Sequence, residues 1–301
     1  MTINETPENK AVVAEQVLEG ERAGFASRGI QFKNCVFSNG ESPLKESSNI
    51  ALDRCNFEWK YPLWYCEHVQ VNNSFWLEMA RSGVWYTNHI VVSDSVLQAP
   101  KNFRRCQDVT LENVTFTDAA ETLWMCQDVH LSCVQARGDY FAMNSSDVAI
   151  DGLALTGNYC FDGARNVEVA NSKLISKDAF WNTENVVVRD SVIVGEYLGW
   201  NSKNLTFINC TIESLQGLCY IENLKMVNCK LLNTTLAFEY STVEAEIDSR
   251  IESVLNPKGG SIACESIGEL VIEPDQVDPA KTCISCKAAA PQAKTKVSWR
   301  K

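Results

Sequence analysis

The 301-residue chain is 45% hydrophobic and 22% charged, an ordinary composition for a folded protein with enough apolar mass to bury a large core. Its net charge of −11 argues against nucleic acid and against an anionic membrane surface, both of which call for clustered Lys and Arg. No apolar run reaches the roughly 18 residues of a membrane-spanning helix, and the opening MTINETPENK lacks the apolar stretch of an export signal.

In chain order, residues 1–29 are expected to form an N-terminal arm and cap, because 11–28 (AVVAEQVLEGERAGFASR) break the pattern that follows. From Ile30 to about Ile272 a polar residue followed by an apolar-x-apolar triplet recurs, as in Asn49-Ile50-Ala51-Leu52, His68-Val69-Gln70-Val71 and Asp108-Val109-Thr110-Leu111. The triplets start at 30, 50, 69, 90, 109, 129, 148, 167, 186, 205, 224, 243 and 262. The steps are thus 20, 19, 21, 19 and 20, then 19 seven times. Four residues after each start stands an Asn or Asp in many copies (Asn34, Asn73, Asp94, Asn113, Asn171, Asp190, Asn209, Asn228), suited to a tight left-handed bend. The next position is small (Cys35, Cys55, Ser74, Ser95, Ser172, Ser191, Cys210, Cys229), and two further on the chain is apolar again. A third apolar column precedes each start by six residues (Leu44, Leu63, Val84, Phe103, Leu123, Phe161, Phe180, Leu218).

Strand side chains alternate between faces, so three short strands per repeat bring all these columns inside. The predicted fold is all-β: one single-stranded right-handed parallel β-helix domain, 30–272, of about 12 coils of about 19 residues. Residues 273–301, with their Ala-, Lys- and Pro-rich end, are expected to be a tail. The thirteen cysteines are an odd number, several in apolar strand contexts. They read as reduced, small buried hydrophobes, and with no export signal they point to the cytoplasm.

Five residues before each start runs an outward column: Lys45, Trp64, Trp85, Arg104, Trp124, Met143, Asp162, Trp181, Trp200, Cys219 and Phe238. Five of the eight Trp lie in it, and exposing them without purpose is costly. Two readings are open: a ligand groove in which Trp faces hold sugar rings, or a stripe covered by a terminal segment, a turn or a second subunit. Beside it runs a polar ladder that includes Lys60, Lys101, Glu121, Asp139, Asn158, Asp178 and Glu196. Carboxylates one or two coils apart suit acid–base chemistry on a glycosidic bond. Asp139, Asp162 and Asp178 are therefore the candidate catalytic residues, with Asp162 the acid or base. Lys101, Arg104, Trp124, Trp181 and Trp200 are the candidate ligand-binding residues. Lys101, Arg104 and Arg105 either hold an anionic group of the ligand or pair with the acidic ladder.

Cys283 and Cys286 form a lone CxxC, and one pair supplies only half of a structural zinc site. His68, His89 and His130 are not expected to converge. No metal and no cofactor is therefore predicted. The expected ligand is a glycan or sugar acid, with neither nucleic acid nor membrane as partner and a homo-oligomer through the Trp stripe as the competing use of that surface.

The segments Gly40–Glu46, Trp59–Tyr65, Ala99–Arg105, Gly138–Phe141, Ser176–Asn182 and Gly195–Asn201 resemble domain-of-unknown-function family 3737. That family is similar in fold to the pectin-lyase-like β-helix superfamily. The resemblance implies the fold and raises the expectation of polysaccharide chemistry, but it carries no established activity and transfers no catalytic residue. Pectate lyases resemble one another in a calcium-binding Asp cluster with an Arg base, and polygalacturonases in an Asp trio with a His. Here the carboxylates come without a neighbouring His, and no export signal precedes them.

Overall fold

The computed structural model describes residues 11–288. The opening decapeptide and residues 289–301, the outer parts of the arm (1–29) and tail (273–301) read above, lie outside the described residues. The fold is a right-handed parallel β-helix of about 15 turns of about 19 residues. Among the described residues no helix is long and apolar enough to cross a membrane. The described residues form two compact units, 11–135 and 136–288.

In the first unit, Ile30–Lys33, Ser48–Asp53, Glu67–Asn72, Asn88–Ser93 and Gln107–Glu112 pair in parallel, each with the next. The triplets thus stack as the repeat requires, with Ile50 opposite Val69 and Ile90 opposite Val109. A second ladder joins Val36–Ser38, Asn56–Phe57, Phe75–Trp76, Val96–Leu97 and Thr115–Phe116. Its inward members Phe37, Phe57, Trp76, Leu97 and Phe116 are buried. Phe37 stacks on Phe57 at 5.1 Å, and Phe57 on Trp76 at 4.6 Å. Full burial of each such side chain contributes about 1.5–3 kcal/mol, repeated at every coil.

The second unit continues the pattern with Ser146–Thr156, Arg165–Ala170, Glu184–Arg189, Lys203–Ile208 and Glu222–Thr235.

The ends depart from expectation. Residues 11–28 are not a separate cap: Ala11–Ala14 pairs with Ile30–Lys33, and Val17–Glu19 with Val36–Ser38, forming a further coil. Near the other end, Val243 faces Gly260 rather than Ile262, because that coil spans 17 residues. Beyond 272 the coil pattern persists, with Thr282–Cys286 pairing onto Gly259–Cys264.

The corners explain the Asn columns. Asn34, Asn73, Asp94, Asn113, Asn171, Asp190, Asn209 and Asn228 all take left-handed conformations, φ 49–53°, which Asn and Asp adopt with little penalty. A second left-handed column stands just before each triplet, and there the side chains bond along the axis. Asn166 donates to Asp147 at 2.9 Å, Asn185 to Asn166 at 3.1 Å, Asn204 to Asn185 at 2.8 Å and Asn223 to Asn204 at 2.8 Å.

All thirteen cysteines are free. Ten are buried, and Cys35, Cys55, Cys66, Cys106, Cys126, Cys210 and Cys229 stand in columns where Ser or Thr serves in other coils. Cys66 donates its thiol to the Leu44 carbonyl at 3.1 Å, as the Thr87 hydroxyl one coil on donates to Leu63 at 2.8 Å. Burial pushes the Cys66 and Cys160 thiols up to about 12, so they are inert donors rather than nucleophiles.

Candidate functional site

The outward stripe exists in both units, but neighbouring side chains use it differently from the sequence expectation. In the first unit, Leu63–Trp64 pairs with Val84–Trp85, and bridges join Trp85 to Arg104 and Arg104 to Trp124. Leu63, Val84, Phe103 and Leu123 turn inward and are buried, which leaves Trp64, Trp85, Arg104 and Trp124 outward and half-buried. Trp64 and Trp85 stack face to face at 5.0 Å and 6°. The Arg104 guanidinium lies between two rings, 4.7 Å from Trp85 and 4.3 Å from Trp124. Trp64 Nε1 donates to the Ser82 carbonyl at 2.6 Å and Trp85 Nε1 to that of Lys101 at 2.9 Å. Arg104 and Lys101 both pair with Glu121, each at 3.0 Å. Of the two open readings of the basic cluster, this is the pairing with the acidic ladder. Ring faces are largely spent on one another here, and the arginine charge is matched.

In the second unit, the Gly163 amide bonds to the Trp181 carbonyl and the Asn182 amide to that of Trp200. This aligns Asp162, Trp181 and Trp200 in the outward column, all half-buried. Behind them Phe161 stacks on Phe180 at 5.3 Å. Asn182 donates to the Asp162 carboxylate at 3.0 Å and receives a bond from Asn201 at 2.8 Å.

The polar ladder that the repeat suggested is two columns side by side in this unit. The Tyr140, Tyr159 and Asp178 amides bond to the carbonyls of Asn158, Lys177 and Glu196 in turn. Tyr140, Tyr159, Asp178 and Tyr197 therefore share one left-handed corner, φ 54–60°. Asp139, Asn158, Lys177 and Glu196 form the other column. Asp139 spends an oxygen on the Asn158 amide at 2.7 Å, and the Asn158 side chain caps the Lys177 amide at 3.2 Å. Asp139 is exposed and acts as a turn cap; Asp178 is buried, 6% exposed.

Asp178 has an unusual setting. Burial pushes its pKa up, the negative charges of Glu196 and Asp162 push the same way, and Lys177 and a hydrogen bond from Tyr159 oppose. The Tyr159 hydroxyl is in turn raised, chiefly by the Asp178 charge. Tyr159 stacks on Tyr140 at 4.9 Å and lies 6.0 Å from Trp181. Around Asp178 the fold thus gathers a carboxyl that holds its proton more tightly than usual, two further carboxylates, a lysine and two aromatic rings. Tyr159 and Lys177 were missed in the sequence, although Tyr140, Tyr159, Asp178 and Tyr197 recur at the repeat's own spacing of 19.

One expectation about metal ligands changes. His68 and His89 do converge, stacked at 4.6 Å beside Glu67. Both stand one residue before a triplet start, at 69 and 90, so the repeat already put them in one column. His130 stands apart, against Asp128 at 3.1 Å. The CxxC thiols do not act as a pair: they lie three apart on one strand, so they face opposite sides, and Cys286 approaches Cys264 at 3.5 Å.

A family model described as "Protein of unknown function (DUF3737)" matches residues 11–285. Among curated proteins none matches the chain. Solved structures give low-identity likenesses. PfbA, a surface adhesin of Streptococcus pneumoniae, is 12% identical over 71% of this chain and 71% of its own, with a TM-score of 0.42. The tailspike of E. coli bacteriophage HK620, in complex with a hexasaccharide, is 8% identical over 89% of this chain and 66% of its own, TM-score 0.41. The A-module of the Azotobacter vinelandii mannuronan C-5 epimerase AlgE4 is 8% identical over 96% and 89%, TM-score 0.31. At such scores these likenesses carry no argument about activity.

Proposed function

Because the chain belongs to a family of unknown function, DUF3737, its role has to be read from its own residues, and we propose that the second unit's face around Asp178 binds and processes a glycan or sugar acid. The observation that carries this reading is the buried Asp178, its pKa raised, beside Asp162 and Glu196. A carboxyl that holds its proton more tightly than usual can serve as a general acid. In this reading Asp178 donates the proton and Asp162, half-exposed and oriented by Asn182, receives one. Trp181 and Trp200, the latter packed on Tyr220 at 4.5 Å, offer apolar edges to a sugar, and Lys177, 3.7 Å from Glu196, shares its positive charge with a carboxylate of the ligand. The protein is placed in a reducing compartment, the cytoplasm, which thirteen free thiols support.

The test is a binding and turnover screen over neutral and acidic oligosaccharides with Asp178→Asn and Trp181→Ala. Asp178→Asn is expected to abolish turnover and keep binding, and Trp181→Ala to weaken binding. Ligand responses identical in wild type and both variants would sink the proposal.

The first unit favours another use. Its stacked Trp64 and Trp85 and its neutralised Arg104 leave little open face for a sugar, so this stripe is better suited to contact with a second subunit. Light scattering of Trp85→Ala against wild type checks it: a lower mass supports an interface, an unchanged mass removes it.

A further inference from the structure

The geometry points to a binding site for a divalent transition-metal ion on the first unit, formed by Glu67, His68 and His89 and set up by Asp108 and Asn88. It is separate from the proposed glycan face and does not depend on it.

Glu67 and Asn88 stand opposite one another on paired strands, and His68, His89 and Asp108 occupy the left-handed corner of three successive coils. The corner presents side chains outward. His68 and His89 stack with ring centroids 4.6 Å apart and 12° between planes. Both direct Nε2 at the same carboxylate oxygen, Glu67 Oε1, at 3.8 Å from His68 and 3.3 Å from His89. The three ligand atoms all lie within 4.8 Å of one another. Nitrogen and oxygen ligands about 2.0–2.1 Å from a tetrahedral ion stand roughly 3.3 Å apart. The Glu67–His89 separation already meets this, and the side chains, 43–56% exposed, are free to close the rest.

The surrounding hydrogen bonds argue for a cation in that gap. His89 Nδ1 lies 2.7 Å from Asp108 Oδ2. A neutral imidazole donating from Nδ1 carries only a lone pair at Nε2. That lone pair faces a carboxylate oxygen at 3.3 Å, two acceptors opposed. A metal ion in the gap relieves the opposition. A carboxylate fixing the far nitrogen of a metal-binding histidine is the outer-sphere arrangement that orients such ligands. Glu67 is likewise steadied, its other oxygen receiving Asn88 Nδ2 at 3.4 Å. Two imidazoles and one carboxylate suit Zn²⁺, Ni²⁺ or Cu²⁺ rather than Mg²⁺ or Ca²⁺, which want oxygen. Three protein ligands leave positions open for water.

Calorimetric titration of the full, tag-free chain with ZnCl₂, and with MgCl₂ as control, tests the site. Expected are one saturable Zn²⁺ per chain, no Mg²⁺ response, and a melting temperature that rises with Zn²⁺. His89→Ala should remove saturable binding, Asp108→Ala should weaken it by about 10–100-fold, and His130→Ala should leave it unchanged. Absence of saturable Zn²⁺ binding in the wild type would overturn the site. Undiminished binding in His89→Ala would overturn it equally, by placing the ion elsewhere, for example at the cysteines.

Discussion

Tyr159 and Asp178 occupy the same corner of successive coils, nineteen residues apart, and the charge of the buried carboxyl raises the pKa of the tyrosine hydroxyl. The position that is Tyr in the Tyr140, Tyr159 and Tyr197 coils is thus an acid in one coil alone among these four. A carboxyl so placed prefers its proton, and that preference has a consequence for stability as well as for chemistry.

A folded-state pKa above the unfolded value contributes stability that is present at low pH and is lost as pH rises through the folded value. Asp178 is such a group. Asp178→Asn, which imitates the protonated form, should therefore melt no lower than wild type at neutral pH and lose any advantage on acidification. Melting curves of both proteins across the acidic range check this. A variant that is less stable at neutral pH would show that the charge is favourable where it stands.

Arg104→Ala removes a cation held between Trp85 and Trp124 and leaves Glu121 paired with Lys101 alone. Each exposed cation–π contact is worth about 0.5–1 kcal/mol, so a loss of about 1–2 kcal/mol is expected, read as a lower denaturant midpoint. Arg104→Lys should recover only part of it, because an ammonium does not stack as a planar guanidinium does.

Asn113 donates to Asp94 at 2.7 Å, yet its side chain is exposed and its backbone is left-handed, φ 52°. The cost of Asn113→Leu then lies in the backbone, about 1–2 kcal/mol, and not in a lost buried partner. Asn113→Gly separates the two causes: it should cost clearly less than leucine if conformation dominates, and as much if the side-chain bond does.

Gly157 packs where a Cβ would run into the Gly138 backbone of the preceding coil. Gly157→Ala must push two coils apart and is expected to cost about 1–3 kcal/mol. Urea unfolding measures it directly.

The thiols allow a direct count. In the native protein only Cys133, Cys283 and Cys286 are reachable, the other ten being buried. A thiol reagent should label two or three groups quickly and thirteen in denaturant. A denatured count well below thirteen would mean disulfides and would remove the reducing-compartment assignment.

The coil was readable from one sequence because a parallel helix pairs each residue with its equivalent one turn away, so a buried column must repeat at the coil length. The runs Ile50, Val69, Ile90 and Val109 and Asn166, Asn185, Asn204 and Asn223 are that requirement written in residues. Where a turn changes length or a corner uses another residue, the signal fades. Glu15 takes the left-handed corner that Asn34 holds one coil later, so the first coil looked like a cap. The 17-residue coil after Val243 hid the final register. Periodicity also leaves undecided what an outward side chain touches, because neighbouring columns share one period. Only the folded chain separates Asp139, a surface turn cap, from Asp178, buried against Tyr159, and only packing turns the Trp64 and Trp85 faces onto each other. The repeat likewise put His68 and His89 in one column, but that their rings stack and turn to one oxygen of Glu67 is decided by side-chain packing in three dimensions.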